Sequence, residues 1–176
     1  MTSRRIVLLR AINVGGTAKL PMADLRSIAG SLGATQVRTY IASGNLLCEI
    51  DSDSDIFDRQ LEAAIFERFG FFRDVISRSR EDVAAALAVH PFEVLEPASS
   101  YITFLASTPT REAVARASAI PTGSDLWQVI GQEQHIRYAI SAGRPQMKTD
   151  AVVRALGVAG TARNLRTVRT LLALTD

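Results

Sequence analysis

Two short apolar runs, Val37–Ile41 and Leu46–Ile50, stand on either side of Ser43-Gly44-Asn45. A glycine-bearing tip between two such runs is the pattern of an antiparallel hairpin. A hairpin alone is barely stable in water and needs further strands and a covering layer. The flanking sequence supplies them. Upstream, Arg5–Arg10 reads as a buried strand, and Met22, Leu25, Ile28, Ala29 and Leu32 follow helical spacing behind Pro21, with Gly33 just past the end. Downstream, Asp51-Ser52-Asp53-Ser54-Asp55 offers N-caps for a helix through Ile56, Leu61, Ala64, Ile65 and Phe69, closed by Gly70. Arg73–Ser77 then reads as a short strand. The order is βαββαβ, a ferredoxin-like signature.

The rest of the chain partly repeats that order. A connecting helix over Arg80–Val89 stops at Pro91. Tyr101–Ala106 is a strand and Arg111–Ala119 a helix, followed by a hairpin of Leu126–Ile130 and Ile136–Ile140 across Gly131-Gln132-Glu133. Helices over Asp150–Leu156 and Asn164–Leu174 close the sequence. The expected fold class is α+β: two ferredoxin-like βαββα subdomains arranged as a structural pseudo-duplication. Residues 1–90 form the N-terminal subdomain with its connecting helix and residues 91–176 the C-terminal one, the boundary falling in Pro91–Ser100.

Charge is distributed unevenly. The net charge is only +2, yet residues 1–50 carry +4, residues 51–112 carry −6 and residues 113–176 carry +4. Basic ends around an acidic middle fit either an anionic partner or simple solvation of exposed faces. A single cysteine, Cys48, excludes an intramolecular disulfide, and no apolar stretch approaches the roughly 18 residues that span a bilayer. A cytoplasmic protein without a membrane partner is expected.

In a ferredoxin-like sheet of order 4-1-3-2, the loop leaving the first strand and the second-to-third hairpin share one edge. That topology sets Asn13-Val14-Gly15-Gly16 beside Ser43-Gly44-Asn45, with Lys19 near the start of the first helix. Adjacent glycines let a ligand approach the backbone, Lys19 adds a full charge, and Asn13, Ser43 and Asn45 add orienting groups. These are the components of an anion site; the same residues also serve as plain turn-formers. A second basic feature lies at Arg163, Arg166 and Arg169, spaced to share one helical face, with Thr161 or Asn164 as the cap. It reads as a phosphate-holding stripe or as the charged outer face of an amphipathic helix.

Other chemistry finds little support. His90 and His135 are far apart in sequence and lack ligand-spaced partners, so no metal is expected. Ser43 lacks the frame of a nucleophile elbow, Cys48 sits in an apolar strand, and no dinucleotide-binding glycine pattern occurs. No cofactor is expected.

The blocks Leu8-Leu9-Arg10-Ala11-Ile12-Asn13-Val14-Gly15-Gly16, Pro21-Met22-Ala23-Asp24-Leu25-Arg26 and Arg38-Thr39-Tyr40-Ile41-Ala42-Ser43-Gly44-Asn45 resemble the bacterial family called domain of unknown function 1697. Pro91-Phe92 and Arg163-Asn164 with Thr167-Val168 are similar to its pattern as well. The resemblance implies an α+β fold of two ferredoxin-like subdomains and brings no reaction or substrate. Ala11 stands where that family usually has glycine. The expected function is a binding module for an anionic ligand: a nucleotide, a nucleic acid or a phosphorylated or carboxylated metabolite. Asn13, Gly15, Gly16, Lys19, Ser43 and Asn45 would hold it, with Arg163 and Asn164. A small-molecule enzyme using the same edge, or an interaction or structural protein, stays open.

Overall fold

The computed structural model describes residues 2–175. The chain divides into two compact units, Met1–Ala84 with Leu171–Asp176, and Ala85–Thr170.

The first unit holds β1 (Ser3–Leu9), α1 (Met22–Ser31), β2 (Thr35–Tyr40), β3 (Asn45–Ile50), α2 (Ser54–Phe69) and β4 (Val75–Arg78), and α3 (Arg80–Ala88) follows. Its sheet has the order β2-β3-β1-β4, every neighbour antiparallel. Alternation sends Val7 and Leu9 of β1 into a core with Leu46, Cys48 and Ile50 of β3. Leu25, Ile28 and Ala29 of α1 and Phe57, Leu61 and Ile65 of α2 close it. Asp53 caps α2 by accepting from the Asp55 and Ile56 N–H groups, and Gly70 ends it in the left-handed conformation. β4 is an edge strand, and α2 covers its outer rim. Glu62 accepts from the Val75 N–H at 2.8 Å and Asp58 from the Ser77 N–H at 2.9 Å, so two buried carboxylates take the place of a next strand. Burial raises the Asp58 pKa to about 6 against the opposing pull of the Ser77 hydrogen bonds, and raises that of Glu62 as well.

The second unit repeats the arrangement with β5 (Ser100–Leu105), α4 (Arg111–Ser118), β6 (Leu126–Ile130), β7 (Glu133–Arg137), α5 (Thr149–Leu156) and β8 (Gly160–Asn164); α6 (Leu165–Leu174) follows and runs past the end of the unit at Thr170. The sheet order β6-β7-β5-β8 is the counterpart of the first. Ala117, Ile136, Tyr138, Met147, Val152 and Leu156 form its core. The fold is α+β with two similar ferredoxin-like halves.

Two details of the second unit differ from the sequence expectation, for one physical reason. β8 falls where no strand is apparent, and β7 begins at Glu133 rather than Ile136. Both strands bury polar side chains: Thr161 and Arg163 on β8, Gln134 and His135 on β7. A hydrophobic pattern cannot register such strands.

Candidate functional site

β1 leaves its sheet at Leu9, whose N–H donates to the Gly44 carbonyl, and the Arg10 N–H donates to the Asp74 carbonyl. Three loops therefore meet at this end of the first sheet: residues 10–20, the 41–44 turn and the 71–74 segment before β4. Asn13 ties two of them. Its side-chain Nδ2 donates to the Leu20 and Ala42 carbonyls, both at 2.8 Å, and its Oδ1 accepts from the Leu20 N–H. Between Asn13 and Lys19 the chain makes a miniature hairpin, with Val14 bridged to Thr17 and Gly15-Gly16 at the tip. Both glycines have positive φ, 61° and 74°, the signature of a mirror-image two-residue turn. A Cβ at either would meet no atom within 4 Å. Both are exposed, and neither N–H donates a hydrogen bond to another described residue. Lys19, in the same loop, is exposed with no carboxylate partner among the described residues.

Asn13, Gly15, Gly16, Lys19 and Ser43 thus lie on one edge, as the strand order requires. Asn45 plays a different part. It is fully buried, and its Nδ2 donates to the Tyr40 carbonyl and the Ser43 hydroxyl, so it holds the hairpin from within. Gly44 is sterically required there, since a Cβ would lie 2.9 Å from Ile12 and Leu9 side-chain atoms. Backbone strain gathers at the same end. Ala11, Asn13, Ala18 and Ile41 all have positive φ of 48–53°, which is uncommon outside glycine and a clear outlier for β-branched Ile41.

The other two expected residues belong to the second unit. The stripe of Arg163, Arg166 and Arg169 on one helical face does not form, because Arg163 lies on β8 and α6 starts only at Leu165. Arg163 is buried, and its guanidinium donates to the Thr161 hydroxyl at 2.7 Å and the Ala162 carbonyl at 2.8 Å. Burial pushes its pKa down to about 10, which still leaves it charged at neutral pH. Asn164 caps α6, its Oδ1 accepting from the Thr167 N–H at 2.8 Å. Arg166 pairs with Glu96 at 3.2 Å on the surface.

Sequence spacing also hid two polar arrangements in this unit. His90 and His135, 45 positions apart, bring their Nδ1 atoms to 3.1 Å, so one imidazole donates to the other. Both Nε2 atoms are buried without a partner among the described residues. Burial, then the neighbouring His90, lowers the His135 pKa to about 4; burial and the Arg169 charge lower that of His90. The pair is neutral at pH 7. Asp125, fully buried, accepts from the backbone N–H groups of Ala139, Gln146 and Met147 and so shapes the segment before α5. Behind that segment lies an open cavity of about 400 Å³ lined by Tyr138, Lys148, Asp150 and Arg154 among others. Nothing in the spacing of these residues announces either arrangement; only the strand register does. Among the described residues no three His, Cys, Asp or Glu side chains gather to hold a metal ion, and no helix is long and apolar enough to cross a membrane.

The chain is similar in fold to the conserved bacterial protein SP0830 from Streptococcus pneumoniae, with a TM-score of 0.78 and 20% identity over the whole of both chains. That likeness concerns the fold. No curated protein matches the chain. The family model described as "Protein of unknown function (DUF1697)" matches residues 1–134, which hold the first unit's sheet and its loop edge and run on through β5, α4 and β6 to the start of β7. The chain belongs to that family.

Proposed function

We propose that the loop edge of the first unit binds an anionic ligand. The observation that carries this reading is the Asn13 bridge: it fastens the glycine turn and the 41–44 hairpin together, with Gly15 and Gly16 exposed at the tip and Lys19 exposed three residues further along the same loop. Outward N–H groups at successive left-handed residues favour negative charge, and an ammonium beside them adds a charge-assisted bond. A phosphate or carboxylate suits that donor set, whether carried by a nucleotide, a metabolite or a polymer. Arg163 and Asn164 stay outside the proposed site, since their side chains are engaged within the second unit.

Binding is favoured over catalysis by what the edge lacks. Segments 13–19 and 41–45 contain no carboxylate, imidazole or thiol to serve as a general base, and the Asp74 carboxylate of the third loop is paired with Arg10 at 3.3 Å. The test is a panel of nucleotides, sugar phosphates and di- and tricarboxylates titrated into the wild-type and Lys19→Ala proteins. Loss of one charge-assisted contact predicts a weakening of about tenfold for the anion that binds. An anion that binds both proteins equally contradicts the reading.

A further inference from the structure

Large apolar side chains stand out at the same end of the first unit: Val14 is 57% exposed, Ile41 51% and Phe72 50%. They sit on three different loops that are fastened to one another. Val14 follows Asn13, which bonds to Ala42 next to Ile41, and Phe72 precedes Arg73, whose Nε donates to the Ala11 carbonyl. The fold gains nothing from exposing them, and Ile41 does so in a backbone conformation that opposes its own side chain. The same loops carry cations. Arg10 is matched by Asp74 at 3.3 Å. Lys19 has no carboxylate partner among the described residues, and neither does Arg73, which donates to carbonyls and packs on the Phe71 ring.

From this juxtaposition we infer that the loop edge docks a segment of a partner protein that carries carboxylates between bulky apolar side chains. The inference rests on the anion-binding reading and names the source of the anion. Apolar contacts would be made by Val14, Ile41 and Phe72, and the carboxylates would meet Lys19, Arg73 and the glycine-turn N–H groups. Charge complementarity sets the sign of the occupant, because two cations here lack a counter-charge. The aliphatic side chains set its class. Single-stranded nucleic acid is held by several aromatic faces on which successive bases stack, and of the three exposed apolar side chains only Phe72 offers one.

The test selects a displayed library of random peptides on the full chain and measures the enriched sequence by fluorescence anisotropy. The proteins compared are wild type, Ile41→Asn, Phe72→Ser and Lys19→Ala. Both apolar positions are exposed, so these variants keep the fold, which thermal melts verify; amide shifts of residues 13–17 and 41–44 on adding the peptide map the site in the unaltered protein. The expected result is enrichment of acidic sequences with bulky apolar residues, bound about tenfold more weakly by each variant. Absence of enrichment, enrichment of uncharged or basic sequences, or affinity unchanged in Ile41→Asn and Phe72→Ser overturns the inference. So does Phe72-dependent binding of oligo(dT), or a wild-type dimer in sedimentation that Ile41→Asn dissociates. If peptides fail while inorganic phosphate still binds in a Lys19-dependent way, the docking inference falls alone and the anion site stands.

Discussion

The Asn13 side-chain amide donates to the Ala42 carbonyl across 2.8 Å, joining a loop that leaves β1 to the turn that joins β2 and β3. The same amide closes its own loop on Leu20 from both sides. One residue thus fixes the spacing between the glycine turn and the hairpin. Asn also tolerates the left-handed backbone it adopts there, φ 53°. Asn13→Ala removes three hydrogen bonds at a partly wet site, each worth about 1 kcal/mol or less, and is expected to destabilise the protein by about 2 kcal/mol. Hydrogen exchange should quicken at residues 14–18 and 41–44 more than in the β1–β3 ladder. Uniform quickening across the sheet would show that Asn13 does not act locally.

Strain at this edge predicts an inversion of the usual cost of mutation. Ala11 and Ile41 both have φ of 48°, and a left-handed L-residue costs roughly 1–2 kcal/mol. Ala11→Gly and Ile41→Asn should each raise the unfolding free energy by up to about 1 kcal/mol, measured by urea denaturation, with Ile41→Asn losing affinity for a docked segment as it gains stability. Destabilisation by both would mean that the loop draws support from the native side chains.

Two buried ionisable centres give pH dependences of opposite sign. Burial raises the Asp58 pKa to about 6 from the ordinary 3.8, so the folded state holds its proton more tightly, and its stabilising contribution is present at low pH and lost as pH rises through about 6. His135 has its pKa lowered to about 4 from 6.5, so the unfolded state holds the proton more tightly, and stability is lost as pH falls from 6.5 towards 4. Each shift is worth a few kcal/mol at about 1.4 kcal/mol per pKa unit. Asp58→Asn should steepen the rise of stability from pH 4 to pH 6.5, and His135→Gln should flatten it. Equilibrium unfolding at stepped pH checks both, and identical profiles in all three proteins would contradict the assignment.

Gly160 opens β8 where the strand crosses close to its neighbour. A Cβ there would lie 2.8 Å from side-chain atoms of Leu105 and Thr103 and 3.2 Å from the Phe104 carbonyl. Gly160→Ala is expected to cost about 1–3 kcal/mol through overpacking, a loss of several degrees in Tm. Gly131→Ala, whose nearest neighbour would be a Glu133 carboxylate oxygen at 3.8 Å, serves as the control in which only the positive φ of 61° is strained.

The first unit was legible because β1 and β3 are short apolar runs and α2 carries ordinary caps, Asp53 at its start and Gly70 at its end. Its loop edge followed from strand order alone, which is why Asn13 and Ser43 could be brought together before any distance was known. The second unit was harder. Arg163 and His135 face the interior of strands, and a residue type that favours solvent conceals the strand that buries it. The His90–His135 pair is a contact between a helix end and a central strand, and no local pattern encodes it. Asn45 was read as a ligand group because its hairpin position is visible in sequence, whereas its burial is not.

The most direct test of the anion site at the glycine turn is a titration of ¹⁵N-labelled protein with inorganic pyrophosphate, following the amide resonances of Gly15 and Gly16 in wild type and Lys19→Ala. Saturable shifts at both glycines, with the midpoint moved to about tenfold higher pyrophosphate in Lys19→Ala, are the predicted result. Static Gly15 and Gly16 resonances, or the same midpoint in both proteins, would contradict it.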